Sequence, residues 1–382
     1  MNERTTMIGE YLSGNYSISE LARRRGISRK TAWKWIERYE QEGAKGLADR
    51  SRAPHHQPQA ISEQMEQRIL ELKARWPYWG APKIHVKVQE YVNCPSESTV
   101  SNILRRHGLT RKVRRRHQAT PSQQPLKHCE GPNQVWCADF KGWFRTGDGK
   151  RCEPLTITDG YSRYLLCCQG IGTTSGRLTV QPLFIGTFRE YGMPEAIRTD
   201  NGSPFASTGL AGLTELSVWW LRLGIRLERI EPGHPEQNGR HERMHRSLKE
   251  ATAKPPRRNL HLQQKAFDAF RQEYNQERPH EALGQKPPGS CYVPSSRDYP
   301  KRLEEPEYPE DWHKRRVSPG GQMKWKGSKV QVSHALVDQL VGLQPIEDGL
   351  WKIHFGSLEL GHLDERRRRV LPIRALPLAS EA

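Results

Sequence analysis

The first 45 residues alternate between polar and apolar positions with the spacing of short helices. Ser17 and Glu20 form a capping-box pattern, which predicts a helix over residues 19–25. Ser28 can cap a second helix over residues 29–40. Four apolar residues at helical spacing predict the face by which this second helix packs: Ala32, Trp35, Ile36 and Tyr39. The two helices and the turn between them are typical of a helix-turn-helix module.

A second helical segment runs from residue 62 to residue 107. Its first helix is marked by four apolar positions: Met65, Ile69, Leu72 and Trp76. Two further helices are predicted over residues 83–91 and 97–106, the last behind Pro95 and Ser96. This arrangement also favours a helix-turn-helix module. Two such modules in tandem predict a long DNA site rather than a short operator.

From residue 133 the apolar pattern changes to that of strands alternating with helices. The predicted strands cover residues 134–144, 153–158, 164–169, 196–199 and 225–230. The predicted helices cover residues 178–191, 213–223 and 260–275, and one more begins within residues 230–250. The first strands are antiparallel in type, with a hairpin turn at residues 146–149. This order predicts a mixed α/β sheet with helices on both faces.

The C-terminal part of the chain has short strand-like segments separated by Gly and Asp-Gly. They cover residues 321–325, 328–332, 340–345, 350–355 and 357–363. Several short strands with this punctuation predict a small β-barrel. Four consecutive arginines at 366–369 then form a basic tail.

The predicted domains follow one another in seven stretches. They are a helix-turn-helix domain (1–45), a linker (46–60), a second helix-turn-helix domain (61–109), a basic linker (110–132), an α/β core (133–288), a Pro-rich linker (289–315) and a small β-barrel with a basic tail (316–382). A chain of 382 residues is long enough for several such domains.

The net charge favours a polyanionic partner, although a ribosomal or membrane-surface protein could also be this basic. The chain carries 61 Lys and Arg against 43 Asp and Glu, which gives a net charge of +18. Such an excess favours a polyanion, because each neutralised phosphate releases a counterion. No apolar run reaches the roughly 18 residues of a membrane span, and the N-terminus lacks an apolar signal core. Seven cysteines without a C-x-x-C pair argue against structural zinc or disulfides and indicate a reducing cytoplasm.

Three groups of residues are candidates for DNA contact. On the second helix of the first module they are Arg29, Lys30, Trp33 and Lys34. On the last helix of the second module they are Ser98, Thr99 and Asn102. The basic linker adds Arg111, Lys112, Arg114, Arg115 and Arg116, which we expect to follow a phosphate backbone or a minor groove. The alternative for each group is an ordinary solvated basic or polar surface.

Three carboxylates lie on different predicted elements. Asp139 falls in an apolar strand, Asp200 ends a strand at Asp-Asn-Gly, and Glu242 lies in the first turns of a helix. Taken singly, such acids are more often exposed or salt-bridged. These elements can converge at the carboxyl edge of a sheet, where open α/β folds bind ligands. Clustered carboxylates repel unless cations neutralise them, and oxygen ligands suit Mg²⁺ or Mn²⁺. Two such ions could serve phosphoryl transfer.

Several motifs resemble the catalytic core of retroviral integrases and bacterial insertion-sequence transposases. They are Trp136-x-x-Asp139, Thr158-Asp159-Gly160-Tyr161-Ser162-Arg163, Thr199-Asp200-Asn201-Gly202-Ser203-Pro204-Phe205, and His234-Pro235-x-Gln237-Asn238-Gly239-x-x-Glu242. Tyr274-Asn275-x-x-Arg278-Pro279-His280-x-Ala282-Leu283 is a further hallmark of the bacterial branch. The resemblance covers roughly residues 134–288, and the tail is similar only in kind to integrase barrels.

The resemblance implies a ribonuclease-H-like core and a DDE triad of Asp139, Asp200 and Glu242. It implies two Mg²⁺ or Mn²⁺ ions per site, both bridged by Asp139 and each held by one of the other two acids. Two other acids are alternative candidates for the triad, Glu236 and Asp159. The family pattern does not place its acid in the loop that holds Glu236, and it implies a structural or supportive role for Asp159. The resemblance also implies DNA-end contacts for three residues: Asn238, Arg246 and Lys249.

The resulting prediction is a DNA transposase that cuts element ends to expose 3′-hydroxyls and joins them to target DNA. It needs double-stranded DNA, metal and at least a dimer on DNA, but no covalent protein–DNA intermediate, nucleotide cofactor or membrane. An accessory ATPase is possible and is left open by the sequence. The expected location is the bacterial cytoplasm, in association with the nucleoid. The alternatives are a catalytically retired DNA-binding regulator and a structure-selective nuclease on the same fold.

Overall fold

The computed structural model describes residues 2–50, 61–91, 94–110, 129–172, 176–230 and 239–373. The chain folds as two compact units, Met1–Ser62 and Glu63–Ala382. No helix within the described ranges is both long enough and apolar enough to cross a membrane. The basic linker residues Arg111, Lys112, Arg114, Arg115 and Arg116 lie outside these ranges, as does the loop that holds Glu236 and Asn238.

The first unit is helical. Its elements are α1 (Asn2–Leu12), α2 (Ile18–Arg24) and α3 (Arg29–Glu42), followed by a 3-10 turn at Gly43–Leu47. The predicted capping box of Ser17 and Glu20 is confirmed, and Ser28 caps α3. Three of the predicted core positions on α3 are buried against α1, and Tyr39 packs beside them.

The second unit begins with α4 (Glu63–Arg75), α5 (Ala81–Val88) and α6 (Glu97–Arg106). The prediction of a helix over residues 83–91 is displaced from the observed α5. Gly80 is the N-cap and Pro82 lies in the first turn, where a fixed φ and a missing N–H are tolerated. α6 begins and ends where the sequence predicts, capped by Ser96.

A mixed sheet forms the centre of the second unit. Its strands are β1 (Val135–Phe140), β2 (Phe144–Arg145), β3 (Arg151–Asp159), β4 (Leu165–Ile171), β5 (Ala196–Thr199) and β6 (Arg226–Arg229). β3 pairs antiparallel with β1, β2 and β4, whereas β1, β5 and β6 run parallel to one another. The single strand predicted over residues 134–144 is interrupted near Gly142, whose φ is +81°. The mixed α/β prediction is confirmed.

Helices cover both faces of this sheet. They are α7 (Arg177–Tyr191), α8 (Glu215–Arg222), α9 (Gly239–Thr252) and α10 (Leu260–Gln276). α7 and α8 pack their aromatic residues on Trp136 and Ala138. α9 and α10 pack on the opposite face, around Cys152 and Leu165. The sheet therefore fixes α9 on one side of β1.

α10 lies along β4, an edge strand among the described residues. Asn275 accepts from Leu165 N at 2.8 Å and donates to Leu165 O at 3.0 Å. Gln264 accepts from Gly170 N and donates to Cys168 O, both at 2.9 Å. Arg271 donates to the carbonyl of Leu166. Side chains of one helix thus bond backbone groups along the strand edge.

The C-terminal strands do not confirm the predicted small β-barrel. They are β7 (His313–Arg316), β8 (Gln322–Trp325), β9 (Ser328–Gln331), β10 (Leu340–Glu347), β11 (Leu350–Phe355), β12 (Leu358–Asp364) and β13 (Arg369–Leu371). In the described residues they form an open five-stranded sheet in the order β13-β12-β11-β10-β7 and a separate β8–β9 hairpin. Side chains such as Met323 and Val330 hold the hairpin to the sheet, and Val218 of α8 joins the same core.

Candidate active site

Asp139 lies near the carboxyl end of β1, and Asp200 directly follows the neighbouring parallel strand β5. The last matched pair of β1 and β5 is Cys137 with Arg198. Asp139 and Asp200 lie two residues further along, so the same register, continued past the end of β5, would place them side by side. Parallel neighbours lie about 4.8 Å apart and matched residues point to the same face. Two of the three predicted acids therefore start from adjacent backbone positions at the carboxyl edge of the sheet.

The turn after Asp200 is held on both sides. Gly202 N donates to Asp200 Oδ1 at 3.1 Å, and Asn201 Nδ2 donates to Ile230 O at 2.8 Å. A Cβ on Gly202 would lie 3.1 Å from Asp200 Oδ2, closer than ordinary contact. Glycine therefore lets the backbone approach the carboxylate, as the Asp-Asn-Gly pattern predicts.

α9 presents different residues to the sheet and to solvent. His241, His245 and Leu248 are buried. Glu242, Arg246 and Lys249 are exposed, at the helical spacing that aligns them on one face. Glu242 lies in the first turn, next to His241. The helix that carries the third predicted acid is thus anchored by histidines on the same face of the sheet as Asp139.

Thr156 of β3 is the point at which this helix is anchored. Its Oγ1 lies 2.6 Å from His241 Nε2, 2.7 Å from His245 Nε2 and 3.1 Å from the carbonyl of Asp139. Thr156 is also the β3 residue paired with Asp139. One buried hydroxyl therefore joins two imidazoles to the backbone of the first carboxylate.

Burial keeps both imidazoles neutral. It lowers the pKa of His241 to about 3 and, together with the charge of Lys141, that of His245 to about 2. His245 Nδ1 lies 3.9 Å from Asp139 Oδ2, which would count as an ion pair only if the imidazole carried a proton on both nitrogens. At neutral pH it is a contact between a carboxylate and a neutral ring.

Two lysines, Lys141 and Lys249, interact electrostatically near the end of β1 that holds Asp139. Burial lowers the pKa of Lys141, the charge of Lys249 lowers it further, and Asp139 opposes both effects. Lys141 follows Asp139 by two residues, whereas Lys249 comes from the exposed face of α9. The electrostatic coupling of these groups indicates that this face of α9 looks toward the strand end that holds Asp139.

The side-chain atoms at the strand edge that holds Asp139 can bind a divalent cation. Asp139, His241 and His245 offer ligand atoms within 4.8 Å of one another, but each Nε2 is already within bonding distance of Thr156. The carboxylates of Asp139 and Asp200 start level with each other and would repel without a cation between them. Carboxylate oxygens suit Mg²⁺ and Mn²⁺ better than imidazole does.

Asp159 occupies a different environment. Its carboxylate is 1% exposed and accepts hydrogen bonds from Asn133 N, Ser162 N and Ser162 Oγ at 2.7, 2.7 and 2.6 Å. Burial raises the pKa of Asp159, and these donors oppose the shift. The residue therefore holds a turn together, which agrees with the supportive role implied by the sequence motif.

The described DNA-contact candidates occupy the helices that the sequence predicts. On α3 all four are exposed, and Trp33 is 53% exposed although it is a large aromatic residue. On α6, Ser98 and Asn102 are exposed. Thr99 is half-buried, and its hydroxyl lies 2.9 Å from that of the capping Ser96. Asn102 also accepts from Arg105, so its amide is partly engaged.

Five stretches of the chain match known domain families. Residues 130–235 and 223–288 each match an integrase core domain, residues 3–55 a helix-turn-helix domain and residues 31–104 a homeodomain-like domain. Residues 313–371 match the C-terminal domain of IS481 family transposases. The fold and these matches indicate a polynucleotidyl transferase with an integrase core and helix-turn-helix domains that bind DNA.

Two bacterial proteins are similar in sequence. The uncharacterized 31.7 kDa protein of insertion element IS407 from Burkholderia multivorans is 27% identical over 229 residues, 59% of this chain and 79% of that protein. The uncharacterized 39.2 kDa protein of insertion element IS476 from Xanthomonas euvesicatoria is 27% identical over 236 residues, 60% of this chain and 65% of that protein. Together with the domain matches, these relatives support a bacterial insertion-sequence transposase with an integrase-type core.

Two similar solved structures come from retroviruses. The HTLV-2 integrase catalytic core domain in complex with magnesium is 16% identical, with 43% of this chain and 98% of that one covered and a TM-score of 0.34. A chain of the simian T-cell lymphotropic virus intasome in complex with PP2A regulatory subunit B56 gamma is 17% identical, with 76% and 97% covered and a TM-score of 0.38. Superpositions at this level do not match individual residues.

Proposed function

We propose that this transposase binds the ends of its element, cleaves them to expose 3′-hydroxyls and joins those hydroxyls to target DNA. Asp139, Asp200 and Glu242 would hold two divalent ions, Mg²⁺ or Mn²⁺. The parallel register of β1 and β5, which pairs Asp139 with Asp200 when it is continued two residues beyond Cys137 and Arg198, supports this most. The packing of α9, which carries Glu242, on the same face of the sheet supports it further.

The chemistry is two successive in-line displacements at phosphorus. Divalent ions bound by these carboxylates would supply activation of the attacking oxygen and neutralisation of charge on the leaving oxygen. In cleavage, a water oxygen bonds to phosphorus and the bond to the 3′-oxygen breaks, leaving a 3′-hydroxyl and a 5′-phosphate. In joining, that 3′-oxygen bonds to a target phosphorus, and the displaced target 3′-oxygen takes up the proton. Neither step needs a covalent protein–DNA bond or a nucleotide.

The chain's own residues position the DNA. Arg246 and Lys249 follow Glu242 along the exposed face of α9 and bind phosphates of the element end, with Asn238 as a further contact. Neutral His241 and His245 hold α9 and the Asp139 backbone through Thr156, and they add no positive charge that would compete with a cation.

The N-terminal modules supply sequence recognition. On α3 the contacts are Arg29, Lys30, Trp33 and Lys34, and on α6 they are Ser98, Thr99 and Asn102. The basic linker follows the backbone with Arg111, Lys112, Arg114, Arg115 and Arg116. Because two element ends must be held and joined together, the working assembly on DNA is at least a dimer.

A strand-transfer assay tests this function. It uses the full chain with Mg²⁺, duplexes of the inverted repeats that flank the gene, and a supercoiled target plasmid. Asp200→Asn keeps the size of the side chain and removes its charge, so cleavage and joining should fall roughly 10³-fold while DNA binding is retained. Glu195→Gln is the matched control, because Glu195 is exposed at the opposite end of β5.

The outcomes separate the alternatives. If the Asp200→Asn variant still joins DNA ends, Asp200 is not part of the active site. Cleavage without joining in the unmodified chain indicates a structure-selective nuclease. Binding of the repeats with neither cleavage nor joining indicates a retired regulator.

A further inference from the structure

The turn between α4 and α5 packs into a socket at the end of α10. Trp79 is 1% exposed and stacks on Trp76, with ring centroids 4.2 Å apart and planes 4° apart. Its indole Nε1 donates to Glu273 Oε1 at 2.8 Å. An indole and a carboxylate that are distant in sequence thus meet at the boundary between the second helix-turn-helix module and the catalytic core.

Two charged contacts flank the indole. Arg75 Nη2 lies 2.8 Å from Glu277 Oε2, and Lys83 donates to the carbonyl of Pro279. Both pairs join the helical module to the end of α10 or the segment after it. Together with the indole contact, they hold the module at both ends of the α4–α5 turn.

Arg278 continues this contact toward the catalytic helix. Its guanidinium lies 5.5 Å from the ring centroid of Tyr78 and 6.0 Å from that of Trp79, and the residue is only 8% exposed. Its Nη2 donates to Ser247 Oγ at 3.0 Å. Ser247 belongs to α9, the helix that carries Glu242. One guanidinium therefore touches both the DNA-reading module and the helix with the third acid.

Arg278 belongs to the sequence motif that runs from Tyr274 to Leu283, and Glu273 directly precedes that motif. The Tyr274 to Leu283 pattern has no part in the proposed chemistry. The other motif residues also have structural contacts: Asn275 bonds the edge of β4, and the ring centroids of Tyr274 and His280 are 4.7 Å apart. The motif therefore builds the wall of the socket.

The buried charges favour one docked geometry. Burial raises the pKa of Glu273 to about 7 and lowers that of Lys83 to about 8. A buried charge is costly unless it is paired and hydrogen-bonded. A module shifted within this contact would leave Glu273 buried without the Trp79 donor and Arg278 without its aromatic cover. A loosely held module would lose these partners, so the contact acts as a rigid joint.

We propose that this socket, formed by Trp79, Glu273 and Arg278, decides which phosphodiester is cut. It does so by fixing the distance between the DNA that α6 reads and the carboxylates of the core. The three are positioning residues, since they act through the placement of α6 and α9. The inference rests on the function proposed above and adds the determinant of the cleavage position.

The test maps the cut bond at nucleotide resolution on end-labelled element DNA with Mg²⁺. Trp79→Phe keeps the aromatic ring and removes the indole donor, and Glu273→Leu removes the acceptor. Each should lower the rate at the main bond by about 10²-fold and spread the remaining cuts to neighbouring bonds, because small misplacements of a reacting group have effects of that size. Affinity for the element end, measured by fluorescence anisotropy, should be unchanged, because α3 and α6 are not altered.

Conservative variants separate positioning from damage to the fold. Glu273→Gln keeps an oxygen acceptor for the indole and should restore the single cut. Trp351→Phe is the matched control, because Trp351 Nε1 also donates to a carboxylate, Glu365 Oε2 at 3.2 Å, but within the C-terminal sheet. Arg75→Gln removes only the outer ion pair and provides a milder variant should Glu273→Leu fail to fold.

Failure of this inference is distinct from failure of the proposed function. If the unmodified chain cuts and Asp200→Asn does not, the function stands. Unchanged cut positions and rates in Trp79→Phe and Glu273→Leu would then overturn the socket alone. Faster cutting at an unchanged bond would also overturn it, because the contact would then be a restraint that is released on DNA.

Discussion

Replacement of Thr156 by valine removes one hydroxyl from a fully buried position and keeps the shape of the side chain. That hydroxyl lies 2.6 Å from His241 Nε2, 2.7 Å from His245 Nε2 and 3.1 Å from Asp139 O. Each buried polar group left without a partner costs about 1–3 kcal/mol. Loss of the partner shared by two buried imidazoles should therefore lower the free energy of unfolding by roughly 2–5 kcal/mol.

Calorimetry of the full chain measures this loss, and Thr156→Ser is its control. The serine variant keeps the hydroxyl and removes one methyl group, which should cost about 1 kcal/mol. Strand joining should fall in Thr156→Val and persist in Thr156→Ser, since only the former releases α9 and Asp139 from their common anchor. Equal stability of the two variants would refute the role given to the hydroxyl.

Three further predictions concern DNA, pH and metal. Lys30→Ala should weaken binding to element ends and reduce the slope of log affinity against log salt by about 1, whereas Lys265→Ala, an exposed lysine on α10, should not. Burial lowers the pKa of His280 from 6.5 to about 3, so the unfolded chain binds the proton first and stability falls as pH drops through that range. Between pH 7 and pH 5 the free energy of unfolding should fall by about 2 kcal/mol because of this one group. The variant His280→Gln should lack that part of the pH dependence. Chelation of divalent ions should abolish cleavage and joining but leave binding of element ends measurable by anisotropy.

The core sheet could be predicted because its local patterns agree with its packing. β5 and α10 begin at the predicted residues, since apolar period and end signals coincide there. The positions of Asp139 and Asp200 near the carboxyl ends of β1 and β5 were also predictable. Asp139 falls in an apolar strand and Asp200 follows one, and the carboxyl ends of adjacent parallel strands lie at the same edge of a sheet. The register that sets them level came only from the structure.

The histidine anchor was missed because α9 is strongly polar. His241 and His245 stand among arginines and a glutamate, where a composition-based interpretation expects solvent. Their spacing of four residues, followed by Leu248 three residues further on, was the available signal. Their partner Thr156 comes from a strand far away in sequence, and no local pattern connects the three.

The errors in the C-terminal part have a similar origin. β7, His313–Arg316, contains no apolar residue, and its place in the sheet depends on backbone pairing with Leu340–Leu343 of β10. Gly and Asp-Gly punctuation predicts the number of turns but not whether the strands close on themselves. Closure depends on strand tilt and stagger, which composition does not specify.

The bonds from α10 to β4 have a consequence for how copies of this protein can associate. An edge strand with spare N–H and C=O groups is a template on which another chain can extend a sheet. Gln264, Arg271 and Asn275 occupy those groups along β4. This edge is therefore closed to strand addition, so copies gathered at high local concentration on DNA are protected there from edge-to-edge aggregation. Any specific assembly must use other surfaces.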